Sequence, residues 1–214
     1  MTRTDCLPLC LGLCLAFTTT VSAAEQPRPL FDGKTLQGWE GKAGVFRVEQ
    51  GAIVAGTLDA KIPNNEFLCT ERQYENFELR LKAKLIGKGN NAGIQFRSQR
   101  IPNHHEVKGY QCDMGAAGNL GNIWGSLYDE SRRRKFLANG DPKQVESVFR
   151  KNDWNEFRIR CEGNRIQIWL NGLQTVDYLE SDDDVTRKGI IGLQIHGGAP
   201  AEAWYKDIVI QELK

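Results

Sequence analysis

The sequence predicts an all-β fold: a single domain of two antiparallel sheets packed face to face, a β-sandwich or jelly roll. Three observations carry that expectation. Apolar residues recur with period two along most of the chain, and helical periodicity is almost absent. The strand-like runs are short and separated by turns rich in Gly and Asn. The 214 residues, less a leader, leave about 190, enough for one sizeable core and too few for two ordinary domains.

From the N-terminus, Met1 to Cys6 carries one Arg, Leu7 to Phe17 is apolar, and Val21-Ser-Ala-Ala24 supplies small residues. This is the make-up of a secretory signal peptide whose apolar stretch is too short to span a bilayer. The expected division is a signal peptide over 1–23, a short linker over 24–29 and the sandwich domain over 30–214. The product is then secreted or periplasmic, without a membrane anchor; Leu13 before Cys14, where a small residue is needed, argues against lipidation. Three of the six cysteines lie in the leader, leaving Cys69, Cys112 and Cys161. Their odd number and apolar surroundings predict buried free thiols. A net charge of +1 gives no steering toward nucleic acid.

Val45 to Val48 and Ala52 to Ala55, around Glu49-Gln-Gly51, read as a hairpin. Phe77 to Leu85 places Leu79, Leu81, Ala83 and Leu85 on one face and Glu78, Arg80, Lys82 and Lys84 on the other. Trp154 to Tyr178 reads as a three-strand meander, with Phe157, Ile159 and Cys161, then Ile166, Ile168 and Leu170, facing inward. Its turns are Glu162-Gly-Asn-Arg165 and Leu170-Asn-Gly-Leu173. Gly115 to Asp153 breaks the alternation and reads as a long excursion able to roof a site. Within it, Arg132-Arg-Arg-Lys135 reads as loop solvation or sugar contact. His104-His105-Glu106 and Ser181-Asp-Asp-Asp184 read as solvated loop and turn.

Three strands depart from an ordinary solvent face. In Ala92-Gly-Ile-Gln-Phe-Arg-Ser98, Gly109-Tyr-Gln-Cys-Asp-Met114 and Ile190-Ile-Gly-Leu-Gln-Ile-His196, the apolar parity is Ile94/Phe96, Cys112/Met114 and Leu193/Ile195. The opposite parity holds Gln95/Arg97, Gln111/Asp113 and Gln194/His196. Amide, guanidinium, carboxylate and imidazole groups on stiff strands suit recognition of a hydrogen-bonding ligand better than wetting. All three pairs are expected to share one face.

Six ordered segments carry a family resemblance: Leu30-Phe-Asp-Gly-Lys-Thr-Leu-Gln-Gly-Trp39, Tyr74-Glu-Asn-Phe-Glu-Leu-Arg80, Gly93-Ile-Gln-Phe-Arg97, Trp154-Asn-Glu-Phe157, Trp169-Leu-Asn-Gly172 and Gly192-Leu-Gln-Ile-His-Gly197. From about Leu30 to Leu213 the chain resembles the 3-keto-disaccharide hydrolase family. The resemblance implies a concanavalin-like jelly roll, a carbohydrate partner, and cleavage of glycosides already oxidised to a ketone at C3. The stretch Gly125-Ser-Leu-Tyr-Asp-Glu-Ser-Arg-Arg133 is similar to that of one subset of the family.

A C3 ketone acidifies the proton on C2, so the C1–O bond can break by elimination, with water adding afterwards. That chemistry needs a base near C2, a partner for the enolate oxygen and an acid for the leaving group. His196, Asp113 and Glu130 are the acid/base candidates, and Arg97, always charged, is the expected oxyanion partner. Gln95, Gln111 and Gln194 would orient hydroxyls, and Trp124 and Tyr128 would either stack on a sugar ring or serve as buried loop anchors. No cofactor is certain; a divalent cation held by His196, Asp113 and Glu130 could serve as a Lewis acid. Jelly-roll glucanases use a Glu-x-Asp-x-x-Glu strand, absent here: Gln111 stands where a nucleophile would, which disfavours ordinary two-carboxylate hydrolysis. The alternatives are a carbohydrate-binding module without catalysis and, more weakly, an adhesion domain.

Overall fold

A computed structural model describes residues 1–2 and 26–214; the expected signal peptide lies almost wholly outside the described residues. The strands are β1 (Arg28–Pro29), β2 (Trp39–Glu40), β3 (Phe46–Glu49), β4 (Ala52–Thr57), β5 (Glu66–Thr70) and β6 (Phe77–Gly87). Then come β7 (Asn91–Arg100), β8 (Val107–Ala117), β9 (Gly121–Asn122), β10 (Leu127–Glu130) and β11 (Phe136–Ala138). After the short helix α1 (Pro142–Val148) follow β12 (Asn155–Glu162), β13 (Arg165–Leu170), β14 (Leu173–Leu179), β15 (Ile190–Ile195) and β16 (Ala201–Glu212).

Two antiparallel sheets of eight strands result. One runs β14-β13-β12-β6-β16-β4-β3 with β1 beside β16; the other runs β11-β10-β8-β7-β15-β5-β2 with β9 beside β8. The expected hairpin is β3–β4 and the expected meander is β12–β13–β14. In the latter, Asn171 and Gly172 both take positive φ (48° and 88°), the conformation a two-residue hairpin turn demands. The main core lies between the sheets and takes the apolar parity of the long strands: Leu79, Leu81 and Ala83, Ile94 and Phe96, Cys112 and Met114, Ile159 and Ile168, Leu193 and Ile195. Cys69, Cys112 and Cys161 are buried and free.

Two expectations need correction. The stretch Gly115 to Asp153 is not an irregular roof: β10 pairs with β8 and β11 pairs with β10, widening the second sheet, while α1 is capped by Asp141, whose side chain accepts from Gln144 N. Arg97 leaves the parity of its strand. The β7–β8 register shifts between Phe96 and Gln99, and Arg97 sits in the bulge at φ 47°. A bulge adds a residue and re-aims the side chains around it. Among the described residues no helix is long and apolar enough to cross a membrane.

Candidate active site

On the outer face of the second sheet, β7, β8 and β15 carry residues of the non-core parity. Gly93 lies opposite both Asp113 and Gln194, and Gln95 lies opposite Gln111. β10 adds Tyr128 opposite Gln111. Glycine at 93 is a packing requirement, because a Cβ there would come 2.5 Å from Gln111 Cδ. Its absence lets the Gln111 side chain lie flat across the strand toward Asp113.

A cavity of about 250 Å³ opens on this face, lined by Gln111, Asp113, Tyr128, Glu130 and His196, with Asn65, Asn91, Ile123, Phe136 and Ala117 completing the wall. Asp113 forms its buried end, only 2% exposed. The Asp113 carboxyl accepts a short hydrogen bond from Gln111 Nε2, and no Arg or Lys lines the cavity. Burial therefore dominates and, with the nearby Glu130 charge, overcomes the Gln111 hydrogen bond, pushing the Asp113 carboxyl up to about 8. Glu130, half-buried, is also raised, by burial and by Glu106; Ser131 and His196 oppose the rise. Ser131 bridges the two acids, donating to Glu106 and standing 3.2 Å from Glu130 Oε1.

His196 lies just past the end of β15 and is exposed. Its Nδ1 is 2.6 Å from the Gly197 carbonyl. A carbonyl only accepts, so Nδ1 carries a proton, and in the neutral imidazole the lone pair is on Nε2. Asn65 fixes this turn, its Oδ1 accepting from Gly197 N at 2.9 Å. Tyr128 packs edge-on against Phe136, ring centroids 5.0 Å apart, and gives the cavity an aromatic side.

The remaining expected site residues stand elsewhere. Arg97, 1% exposed, donates to the carbonyls of Glu75 and Gly163, both at 2.8 Å, and to Asn76 Oδ1 at 3.2 Å. It ties the second sheet to the β12–β13 turn of the first and is no oxyanion partner for this cavity. Trp124 is a core anchor, stacked on Phe157 at 5.8 Å and tilted on Phe149 at 4.8 Å, and it borders a different cavity of about 510 Å³. Gln95 is fully buried behind Gln111 and donates to it at 2.6 Å. Gln194 is fully buried, and neither atom of its amide has a partner among the described residues. His196, Asp113 and Glu130 share a cavity, yet no three such side chains among the described residues group closely enough to hold a metal ion.

Asn65, Asn91 and Phe136 were not foreseen: Asn65 and Phe136 lie in segments without a polar pair, and Asn91 opens β7 just before the stretch that carries Gln95 and Arg97. Nor was the use of the arginine run: Arg132 and Arg133 pair with Asp129, and Arg133 also with Glu180 at 2.6 Å. Glu130 is thereby left unpaired by either arginine. One signal was available, since Leu127 is apolar and Asp129 shares its parity, which places that carboxylate inward.

Residues 26–211 match the family model described as a 3-keto-alpha-glucoside-1,2-lyase-like domain. No curated protein matches the chain. Among solved structures, a candidate glycosyl hydrolase from Parabacteroides distasonis is 18% identical and superposes with a TM-score of 0.64, covering 88% of this chain and 94% of its own. The carbohydrate-binding module CBM66 from Bacillus subtilis is 16% identical, with a TM-score of 0.62 over 82% of this chain and 96% of its own. The VIP36 exoplasmic/lumenal domain, solved with Ca2+ and Man3GlcNAc, is 10% identical, with a TM-score of 0.60 over 86% and 87%. At these identities the likeness is one of fold.

Proposed function

The chain belongs to the 3-keto-alpha-glucoside-1,2-lyase-like family, and from that premise we propose that it cleaves 3-keto-glycosides by elimination across C1–C2 followed by hydration. One observation carries the reading: Asp113, Glu130 and His196 line a single cavity that contains no Arg or Lys. A carboxyl kept neutral by burial can donate a hydrogen bond at neutral pH. Asp113 would thus bind the C3 oxygen as negative charge develops there, the task first expected of Arg97. His196 Nε2 would take the C2 proton, electrons would flow toward C3, and the C1–O bond would break as Glu130 protonates the departing oxygen. Water then adds its hydroxyl at C1 and the proton held by His196 returns to C2, while Glu130 is reprotonated. The cavity is smaller than the about 300–1,000 Å³ of drug-sized ligand sites, which suits one sugar ring with the aglycone outside.

Incubation with a chromogenic 3-keto-glucoside beside its unoxidised parent tests this. Aglycone is expected from the ketone alone. Sugar binding without release from any 3-keto-glycoside would favour the binding module, and equal release from the unoxidised parent would favour ordinary hydrolysis. Export belongs to the same proposal on the leader-like composition of 1–23; a product that stays in the cytoplasm with Met1 retained in its intact mass would remove it.

A further inference from the structure

Behind Asp113 runs a line of buried polar groups that leads away from the cavity. Ser98 Oγ stands 2.8 Å from Gln95 Oε1, Gln95 Nε2 donates to Gln111 Oε1 at 2.6 Å, and Gln111 Nε2 donates to the Asp113 carboxyl. All of these residues are buried: Ser98 and Gln95 at 0%, Gln111 and Asp113 at 2%. Two glycines make room for the line. A Cβ at Gly109 would lie 2.4 Å from Ser98 Oγ, and one at Gly93 would meet Gln111.

The line has a polarity. A primary amide presents a carbonyl on one side and N–H on the other, so the donor at the far end dictates what arrives at Asp113. The Ser98 hydroxyl has one proton and three acceptors nearby: Gln95 Oε1 at 2.8 Å, Phe96 O at 3.0 Å and Tyr110 O at 3.4 Å. The amide oxygen is the nearest. With Ser98 donating there, Gln95 turns its N–H to Gln111, and Gln111 turns its N–H to Asp113. Without that donor both amides can reverse, and a Gln111 carbonyl would face Asp113 instead.

We infer that Ser98 is a positioning residue whose hydroxyl sets the polarity of the Gln95–Gln111 relay, so that the proton of Asp113 points into the cavity rather than back at Gln111. This rests on the proposed role of Asp113 as donor to substrate. An N–H from Gln111 occupies one carboxyl oxygen and leaves the proton to the other; a reversed amide accepts that proton itself and takes it from the substrate. The two states also differ in which form of Asp113 they favour. The native N–H supports the carboxylate, whereas a facing carbonyl supports the acid. The other titratable groups around Asp113 are Glu130 and Tyr128 from β10, His196 beyond β15, and the adjoining Cys112, and none of them is altered by a change at Ser98.

The test reads Asp113 directly, by carboxyl ¹³C NMR titration, together with turnover of a 3-keto-glucoside. In S98A the Asp113 midpoint is expected to rise by about one pH unit, a tenfold change in proton affinity. kcat should fall about 10-fold with KM changed less than about 2-fold, because substrate binding is untouched while the donor is misdirected. S98T keeps the hydroxyl and should stay near wild type. Q95M cuts the line in the middle with a side chain of similar shape, and should move the midpoint in the same direction as S98A even if S98A fails to fold. A folded S98A or Q95M protein that titrates as wild type does, with only its melting temperature lowered, would overturn the relay and leave Ser98 a packing residue. Wild-type protein that turns over no 3-keto-glycoside would sink the reaction instead, and the titration alone would then decide the relay.

Discussion

β10 sends successive carboxylates to opposite faces of one sheet, and their surroundings differ. Asp129 points between the sheets, fully buried, and is paired by Arg132 and Arg133. Beside it Glu180, 2% exposed, accepts from Arg133 and from the Tyr110 hydroxyl, each at 2.6 Å. Burial pulls the Glu180 carboxyl upward, but Arg133 and Tyr110 more than reverse this and hold it at about 2. On the outer face Glu130 and Asp113 have no arginine, and both are raised. Burial is common to the two regions. The counter-charge separates them: where it is supplied the acid fastens the fold, and where it is withheld the acid keeps a proton available for chemistry.

The contrast can be broken from either side. Arg133→Met should leave two buried carboxylates short of their partner and cost about 3–5 kcal/mol of stability, measured by denaturant unfolding, with turnover per folded molecule unchanged. Loss of turnover at full stability would mean that the inner cluster belongs to the site. The linkage has a definite sign. Glu180 is lowered in the fold, so its contribution is present above the ordinary carboxylate range and is lost as pH falls toward 2; the acid limb of stability should flatten in this variant. On the outer face His196→Ala should lower turnover about 100-fold with folding nearly intact, and His196→Gln should do no better, since an amide cannot take a proton. Partial rescue by Gln would point to binding instead. Glu130→Gln should slow release of an alkyl aglycone about 10-fold or more and a nitrophenyl aglycone far less, because only the poor leaving group needs protonation. Equal effects would take the acid role away from Glu130. The smallest contrast tests register. Ile168→Ala removes a fully buried core residue and should cost about 2–5 kcal/mol, whereas half-buried Gln167, whose side chain donates to Asp177 Oδ2 at 3.3 Å, should tolerate Ala within about 0.5 kcal/mol.

What sequence could show here was parity. Ile94, Cys112 and Leu193 marked the core face, and the polar residues opposite them were legible because side-chain direction alternates strictly in an unbroken strand. Arg97 escaped because a bulge at positive φ follows no residue pattern readable from Phe96-Arg-Ser98. Trp124 was left open between stacking on sugar and anchoring the core, and Asp129 was missed, for a related reason. Trp124 lies outside any strand, and only the packing of distant segments shows that it sits on Phe157; the inward side of Asp129 follows from the parity it shares with Leu127 once β10 is known to be a strand. Strand order, which brings β8, β10 and the end of β15 to one cavity, arises from contacts distant in sequence and leaves no local mark.

Asp113→Asn keeps the shape of the side chain and removes its ionisable proton. The wild-type carboxyl is raised to about 8, so the folded state binds this proton more tightly than the unfolded chain does. Its contribution is full below the ordinary carboxylate range and is lost as pH climbs toward 8. Thermal unfolding of both proteins from pH 5 to 9, with 3-keto-glucoside turnover at each pH, reads stability and function together. The variant should unfold at higher temperature than wild type by a margin that widens with pH up to about 8, while its turnover drops about 100-fold or more. A variant that is less stable at pH 8 and still fully active would contradict the claim that this unpaired acid is the centre of the site.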